Sequence, residues 1–215
     1  MKHKNLIFVG FGSFGREVFN WIKHDNFFFN KYKNFYYIDD AIGGNTKYEI
    51  KYLGKIEELP SSFFFDDFIL TITDPFSKKQ IFHKLSKFNL NFISFIHPSV
   101  IVSHTAKLGR GVIICPNSFI SSDSILGDFV FVNGLSSIGH DAIIENFSTI
   151  SAHVDIMGFS KVGELVFFGS GSRSYPHSVI GNNCKIGAGA SVIKKIPNDT
   201  TIYSPLSKIL WLNIN

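Results

Sequence analysis

Histidine is the first residue type in this 215-residue chain that could do chemistry, because its spacing can be compared with that of histidines in zinc sites. The chain has eight histidines, and a set of three could bind zinc on a sheet scaffold. A three-histidine site of that kind needs a close pair in the pattern H-x4-H, and no two histidines here are five positions apart. We therefore expect no metal centre.

His140 differs from the other histidines because Asp141 follows it directly. An imidazole titrates near neutral pH and can take a proton from an attacking amine or hydroxyl, and a nearby carboxylate raises its basicity. The pair could therefore supply a general base with an acidic partner. Spacing alone favours the simpler alternative, an exposed polar corner without a chemical role.

A glycine-rich turn is the second chemical signal. The apolar segment 5–10 leads into a GxGxxG motif of Gly10, Gly12 and Gly15, a helical pattern follows, and a second apolar strand, 35–38, ends in Asp39 and Asp40. In this order of elements, a phosphate can approach bare backbone amides at a helix N-terminus, and a carboxylate can accept from a ribose or a base. The alternative is a structural α/β cap whose glycines only make tight turns.

The length of this first region limits what it can bind. A third strand is expected near residues 68–72 and a helix near 76–87, and a different pattern begins at Ile96. No room remains for the second mononucleotide half of a dinucleotide fold. A half-size Rossmann-like domain fits one nucleotide with a diphosphate, such as a nucleotide-linked sugar.

A six-residue repeat runs through the second half of the chain. Every sixth residue from Ile96 to Val192 is large and apolar except Ser174, and the residue two positions before each of them is small or of modest volume. A period of six excludes an amphipathic helix and is typical of a parallel β-helix, in which each short strand and turn stacks on the next coil. Large aliphatic side chains then form a continuous internal column.

Two details of the repeat lead to further expectations. Seven of the large residues are followed by glycine, which suits corners with positive φ. At Ser174, either one coil is locally distorted or its backbone is shaped for a ligand. The seven glycines are Gly109, Gly127, Gly139, Gly163, Gly169, Gly181 and Gly187.

Composition excludes several other classes of protein. A chain with 45% hydrophobic and 18% charged residues can bury a globular core, and its basic residues are too scattered for a nucleic-acid surface. No apolar run reaches the roughly 18 residues of a membrane span, and we recognise no signal-peptide pattern. We therefore expect a cytoplasmic protein without nucleic-acid or membrane partners. Cys115 and Cys184 are expected to be reduced structural residues.

Taken together, the motifs GFGSFG, IDD, FIHPS and IGHD around hexapeptide coils resemble the bacterial sugar-nucleotide acetyltransferases of the sialic-acid and bacillosamine pathways. The resemblance implies a half-Rossmann domain followed by a left-handed parallel β-helix of the hexapeptide-repeat acyltransferase superfamily. It also implies a homotrimer, with acetyl-CoA as cosubstrate in the groove between neighbouring β-helices. The implied domains are 1–93 for the nucleotide sugar, 94–203 for acyl transfer and a tail, 204–215.

The resemblance also implies roles for individual residues. His140 matches the general base and Asp141 its acidic partner. The implied contacts of the nucleotide-linked amino sugar are Gly12, Ser13, Phe14, Asp39, Asp40, Thr73 and Asn133. The implied contacts of acetyl-CoA are Thr149, Ser170 and Ala188.

This chain departs from the family pattern at three places. Thr149 and Phe14 stand where relatives often have His, and Ser204-Pro205 followed by Lys208 lacks the glycine of the usual G-x-P-A-K. The leading hypothesis is N-acetylation of a nucleotide-linked amino sugar by direct transfer. Its rivals are O-acetylation of a sialic-acid-like sugar and a non-catalytic trimer that binds nucleotide sugars.

Overall fold

The computed structural model describes residues 4–41, 43 and 47–205. Its first part is a five-stranded sheet in which every strand pair is parallel and the strand order is β3-β2-β1-β4-β5. The strands are β1 Lys4–Val9, β2 Tyr32–Ile38, β3 Lys51–Gly54, β4 Asp67–Leu70 and β5 Asn91–Phe92. Strand order reverses between β1 and β4, which is where ligands bind in sheets of this type.

Helices cover this sheet on both faces, so β1 is buried continuously from Leu6 to Val9 instead of alternating. Helix α1 buries Gly15 and the apolar face expected from the sequence. Helix α3 begins after Asp74, whose side chain accepts from the Ser77 N–H, and it has Pro75 in its first turn. The helices are α1 Ser13–His24, α2 Asn26–Phe29 and α3 Pro75–Ser86, with 3-10 turns at Ile56–Glu58 and Ser61–Phe63.

The second part is a parallel β-helix whose two-residue strands pair with partners 18 residues away, so three strands complete one coil. The three sheets are called faces 1, 2 and 3 in chain order. Face 1 holds Phe95–Ile96, Ile113–Ile114, Phe131–Val132, Thr149–Ile150, Phe167–Phe168, Lys185–Ile186 and Thr201–Ile202. Face 2 holds Ile101–Val102, Phe119–Ile120, Ser137–Ile138, Asp155–Ile156, Arg173–Ser174 and Ser191–Val192. Face 3 holds Lys107–Leu108, Ile125–Leu126, Ile143–Ile144, Lys161–Val162 and Val179–Ile180.

The core of the β-helix follows the predicted register. The second residue of each strand points inward, and this column is buried from Ile114 to Val192. The small residues two positions earlier, among them Val112 and Ala142, pack in the same cluster. The six-residue period therefore identified the internal column correctly.

The expected role of the seven repeat glycines was wrong. The positive φ angles lie two residues after these glycines, as at Asp141 after Gly139 and Leu165 after Gly163, and none of the seven is among them. Several of these glycines instead allow close approach between coils: a Cβ on Gly139 would come 2.5 Å from the Gly158 nitrogen, and one on Gly169 2.6 Å from the Ala188 nitrogen. The repeat glycines are required by stacking, not by backbone conformation.

The coil containing Ser174 is also regular, contrary to both expectations from the sequence. Strand Arg173–Ser174 pairs with its neighbours on either side in the normal register. Ser174 is fully buried, and its hydroxyl hydrogen-bonds to that of Ser160 at 2.9 Å. An internal polar residue is tolerated here because it has a buried partner.

The α/β part packs on face 1 and on the corner between faces 3 and 1. Phe14 lies 4.3 Å from Phe131 between ring centroids, and Phe82 contacts the stacked rings of Phe129 and Phe147. Packed aromatic pairs typically contribute about 0.5–1.5 kcal/mol each beyond their buried area. These contacts hold the α/β part, with its glycine-rich turn, over face 1 of the β-helix.

The boundary between the two parts remains a proposal. Strand β5 ends at Phe92 and face 1 begins at Phe95, so we propose the division at 93/94. For the tail, proposed to begin at Ser204, residues 206–215 lie outside the described residues, and Lys208 with them. Within the described ranges, no helix is long and apolar enough to cross a membrane.

Candidate active site

A cavity of about 540 Å³ opens at the carboxyl ends of β1 and β4, where the strand order reverses. Six of the residues expected to contact the nucleotide sugar line it together: Gly12, Ser13, Phe14, Asp39, Asp40 and Thr73. The GxGxxG motif, the acidic pair and the end of the third predicted strand therefore meet in space. The volume falls within the roughly 300–1,000 Å³ of small-molecule sites.

The glycine loop presents bare backbone to this cavity. Gly10 has a φ of 86°, and a Cβ on Gly15 would come 2.7 Å from the Gly10 carbonyl oxygen, so both glycines are needed for the turn. Gly12 caps α1 without any side-chain hydrogen bond to the first turn, and a Cβ there would meet nothing within 4 Å. The first amides of α1 can therefore bind an anion such as a phosphate.

The two aspartates after β2 differ in surroundings. Asp39 is buried, and its carboxylate oxygens accept hydrogen bonds from the N–H groups of Phe11 at 2.7 Å and Ala41 at 2.8 Å. Asp40 is exposed on the cavity rim and accepts from the Ile56 N–H at 2.9 Å. Asp39 braces the glycine loop, whereas Asp40 is open to solvent and to a ligand.

Asp74 is a further cavity residue that the sequence reasoning missed, although Asp-Pro before a helix is a recognisable start signal. Burial alone would raise the pKa of Asp74. The hydrogen bonds from Ser77 and the positive charges of Lys185 and Lys78 outweigh burial and lower that pKa below its usual value. Asp74 therefore adds a negative charge to the cavity wall at neutral pH.

Thr149 connects this wall to the β-helix. Its hydroxyl donates to the Thr73 carbonyl at 2.6 Å and accepts from the ammonium of Lys78 at 3.1 Å. Burial lowers the pKa of Lys78 to about 7, and the Asp74 carboxylate opposes that shift only in part. The sequence assigned Thr73 and Thr149 to different ligands, but they are in direct contact. Lys78 was missed, although it shares a helix face with Ile81 and Leu85.

His140 and Asp141 lie at the corner between faces 2 and 3, and both side chains are exposed. The imidazole Nδ1 is 2.9 Å from Asp141 Oδ2. Because an ionised carboxylate can only accept, a neutral imidazole that makes this hydrogen bond carries its proton on Nδ1 and has its lone pair on Nε2. This arrangement can accept a proton at Nε2.

The remaining expected residues lie at the corner between faces 1 and 2. Ser170 and Ala188 are exposed there one coil apart, and Asn133 is half-buried, its side-chain oxygen accepting from the Gly134 N–H at 2.7 Å. Within one chain this corner and His140 are separated by the strands of face 2. The chain therefore brings the cavity residues together, but it does not bring them to His140.

Metal ligands do not cluster in the described part of the chain: no group of three His, Cys, Asp or Glu residues is close enough to hold an ion.

Comparison with known proteins found relatives that share 24–30% of the aligned residues. No family model matches the chain. GDP-perosamine N-acetyltransferase of Escherichia coli O157:H7 is 24% identical over 162 residues, which cover 75% of this chain and 65% of that protein. The bifunctional protein GlmU of Anaplasma marginale is 30% identical over 129 residues, 47% of this chain and 30% of that protein.

Solved structures extend the similarity across both parts of the molecule. The acetyltransferase domain of PglB from Neisseria gonorrhoeae, in complex with acetyl coenzyme A, has a TM-score of 0.84 at 24% identity, covering 97% of this chain and 100% of that one. A variant of perosamine N-acetyltransferase from Caulobacter crescentus, in complex with CoA and GDP-perosamine, has a TM-score of 0.84 at 21% identity and covers 93% of each chain.

This chain has the fold of hexapeptide-repeat sugar acetyltransferases. The resemblance drawn from the sequence motifs is confirmed, and so is the fold class, a half-Rossmann α/β region followed by a left-handed parallel β-helix.

Proposed function

We propose that this chain is an N-acetyltransferase that moves the acetyl group of acetyl-CoA to the amine of a nucleotide-linked amino sugar. One observation carries the proposal: a fold shared with sugar N-acetyltransferases combines a nucleotide-sized cavity with an exposed His140–Asp141 pair. The similar structures that contain CoA or acetyl coenzyme A support the choice of donor.

The acceptor would bind through its nucleotide in the cavity at β1 and β4. Its diphosphate would meet the N–H groups of Gly12, Ser13 and Phe14 at the start of α1, and Asp40 would accept a hydrogen bond from a ribose or base. Among the described residues, no Lys or Arg lines the cavity, so the backbone N–H groups would be the main donors to the diphosphate.

The reaction would be a direct transfer with His140 as general base. The amine nitrogen attacks the thioester carbonyl carbon, and the proton lost from nitrogen goes to Nε2 of His140. Asp141 stabilises the resulting imidazolium through Nδ1. As the tetrahedral intermediate collapses, the carbon–sulfur bond breaks and the imidazolium returns the proton to the leaving thiolate. The products are the amide and free CoA, with no acyl-enzyme.

A homotrimer would complete this site. The cavity lies over face 1, and His140 is on the corner between faces 2 and 3, which is opposite face 1 in a three-sided prism. One chain therefore cannot easily bring its own His140 to its own nucleotide. We propose that His140 of one copy faces the cavity of the next, and that Asn133, Ser170 and Ala188 contribute to the same groove. Thr149 is buried against Thr73 and Lys78, so it would support the wall of the site without an exposed side chain of its own.

We also propose a cytoplasmic location. Cys115 and Cys184 are both free and buried, and free thiols persist in reducing compartments.

The proposal is tested by incubating the protein with acetyl-CoA and a panel of UDP-, dTDP- and GDP-linked amino sugars, while thiol release is followed. Free amino sugars and sialic acids serve as matched acceptors without the nucleotide. We expect turnover with at least one nucleotide-linked amino sugar. Turnover with only sialic acids would favour O-acetylation, and tight binding of nucleotide sugars without turnover would favour the non-catalytic trimer.

A further inference from the structure

The imidazole of His140 is part of a column of three rings at the corner between faces 2 and 3. Its ring stands perpendicular to that of Phe159, at 89° and 5.0 Å between centroids. His177 stacks on Phe159 at 4.8 Å and 4°. Phe159 and His177 follow Asp141 at steps of 18 residues, so they occupy the same corner position in successive coils.

The hydrogen bond to Asp141 is a weak constraint on its own. The two side chains are 59% and 42% exposed, and exposed ion pairs typically contribute only about 0–1 kcal/mol because solvent competes with them. A general base must nevertheless hold one nitrogen toward the reacting group. Additional contacts are therefore needed to fix the ring.

The next coil provides those contacts. A Cβ on Gly158 would come 2.7 Å from Nε2 and 2.8 Å from Cε1 of His140, so the ring lies directly over this glycine. The Phe159 N–H donates to the His140 carbonyl at 3.0 Å, which holds the two residues in register. The His177 N–H donates in the same way to the Gly158 carbonyl at 3.1 Å. Edge-to-face and stacked rings are favoured geometries, so each ring of the column restricts the orientation of the next.

We propose that Phe159 is a positioning residue for His140 and that His177 holds the Phe159 ring from its far side. This inference rests on the proposed function, because orientation matters only if His140 is the base. Phe159 is 43% exposed, so burial in the hydrophobic core does not explain its conformation.

The test combines kinetics with histidine-ring NMR on the full-length protein. Phe159→Ala should lower kcat for acetyl transfer about ten- to a hundredfold and leave both KM values within about twofold. Phe159→Tyr, which keeps the ring, should restore kcat. His177→Ala should give a smaller loss than Phe159→Ala, and His177→Phe should behave like the parent. The control is Ile125→Ala, which truncates another exposed apolar side chain on the β-helix. It should leave kcat and both KM values at those of the parent.

The NMR arm needs no substrate. The His140 ring signals, assigned by their loss in His140→Gln, should be displaced by the Phe159 ring current and should move toward unperturbed values in Phe159→Ala. Unchanged signals would overturn the proposal. So would a raised KM for acetyl-CoA at unchanged kcat, which would make Phe159 a donor contact. A parent protein without turnover on any acceptor would instead overturn the proposed function, and the NMR result would still report the ring contact.

Discussion

His140 carries the chemical claim at the scale of single residues. Replacing it with Asn removes the basic nitrogen but keeps a polar side chain of similar reach. We expect His140→Asn to lower kcat about 10²- to 10⁴-fold with little change in KM, which is the range for loss of a general base. Steady-state thiol release measures this directly.

The matched control for that variant is His104→Asn. His104 is exposed and occupies the same corner position two coils before His140. We expect parental kcat from it. Equal losses in the two variants, or none in His140→Asn, would contradict the assignment of the base.

Gly158 gives a second prediction at this scale. Its substitution by Ala would direct a methyl group at Nε2 of His140, and the exposed imidazole can swing away at little cost to folding. Gly158→Ala should therefore lower kcat about tenfold or more, with a melting temperature close to that of the parent. Loss of folding, measured by thermal unfolding, would show that the glycine is needed for the coil instead.

Individual residues differed in how well sequence patterns predicted them. The GxGxxG motif and Asp39–Asp40 predicted the cavity because their spacing in a strand–turn–helix unit determines where they lie. Lys78 was missed because its partner Thr149 is 71 residues away, and no local pattern encodes that contact. Phe159 was missed for a related reason: its ring contacts His140 of the preceding coil, and no local pattern encodes that contact either.

At the scale of elements, helix α3 connects the cavity to the β-helix through Lys78. The folded protein releases the Lys78 proton near pH 7, whereas the unfolded chain keeps it up to about the ordinary value of 10.5. The unfolded state therefore binds more protons between these values, and folding becomes more favourable as pH rises through that window. Below pH 7 both states are protonated and this dependence disappears.

This linkage predicts a specific difference between variants. From pH 7 to pH 9, the free energy of unfolding of the parent should rise relative to that of Lys78→Met by on the order of 2 kcal/mol. Chemical denaturation at several pH values measures the difference. Lys79→Met removes a half-exposed neighbour that pairs with Glu164 and should follow the parent curve. Parallel curves for Lys78→Met would contradict a neutral buried lysine.

The elements also show why the repeat was easier to predict than its details. A period of six determines which side chains point inward, and that assignment was correct from Ile114 to Val192. The same pattern contains no information on backbone angles. The repeat glycines were therefore predicted to have positive φ, although they are needed for close contact between coils. Strands β3 and β5 were not predicted. They have four and two residues, which is too short for a clear alternation of apolar and polar side chains.

At the scale of the whole molecule, aromatic residues decide how the two parts join. Phe95 and Phe131 point outward from face 1, and Phe129 and Phe147 occupy the adjoining corner, where they pack against rings of the α/β part. Outward-facing phenylalanines on a β-helix are therefore a sign of a covered face. The inward pattern alone does not reveal which face is covered.

The separation of cavity and base predicts complementation between copies. Gly12→Phe should block the cavity without backbone strain, since Gly12 has a φ of −65° and open space beside it. This variant and His140→Asn should each be nearly inactive alone. Co-expressed in equal amounts, they should regain about a quarter of parental activity, because one neighbour pair in four combines an intact cavity with an intact His140. Activity no higher than the sum of the two variants would contradict a shared site.

The central claim is that the enzyme forms an amide on a nucleotide-linked amino sugar, and the bond in the product tests it most directly. Proton NMR and mass spectrometry of the acetylated product should show one acetyl group on nitrogen, with the nucleotide intact and the linkage stable to mild alkali. An alkali-labile ester on a sugar hydroxyl, or no product that depends on acetyl-CoA, would contradict the account.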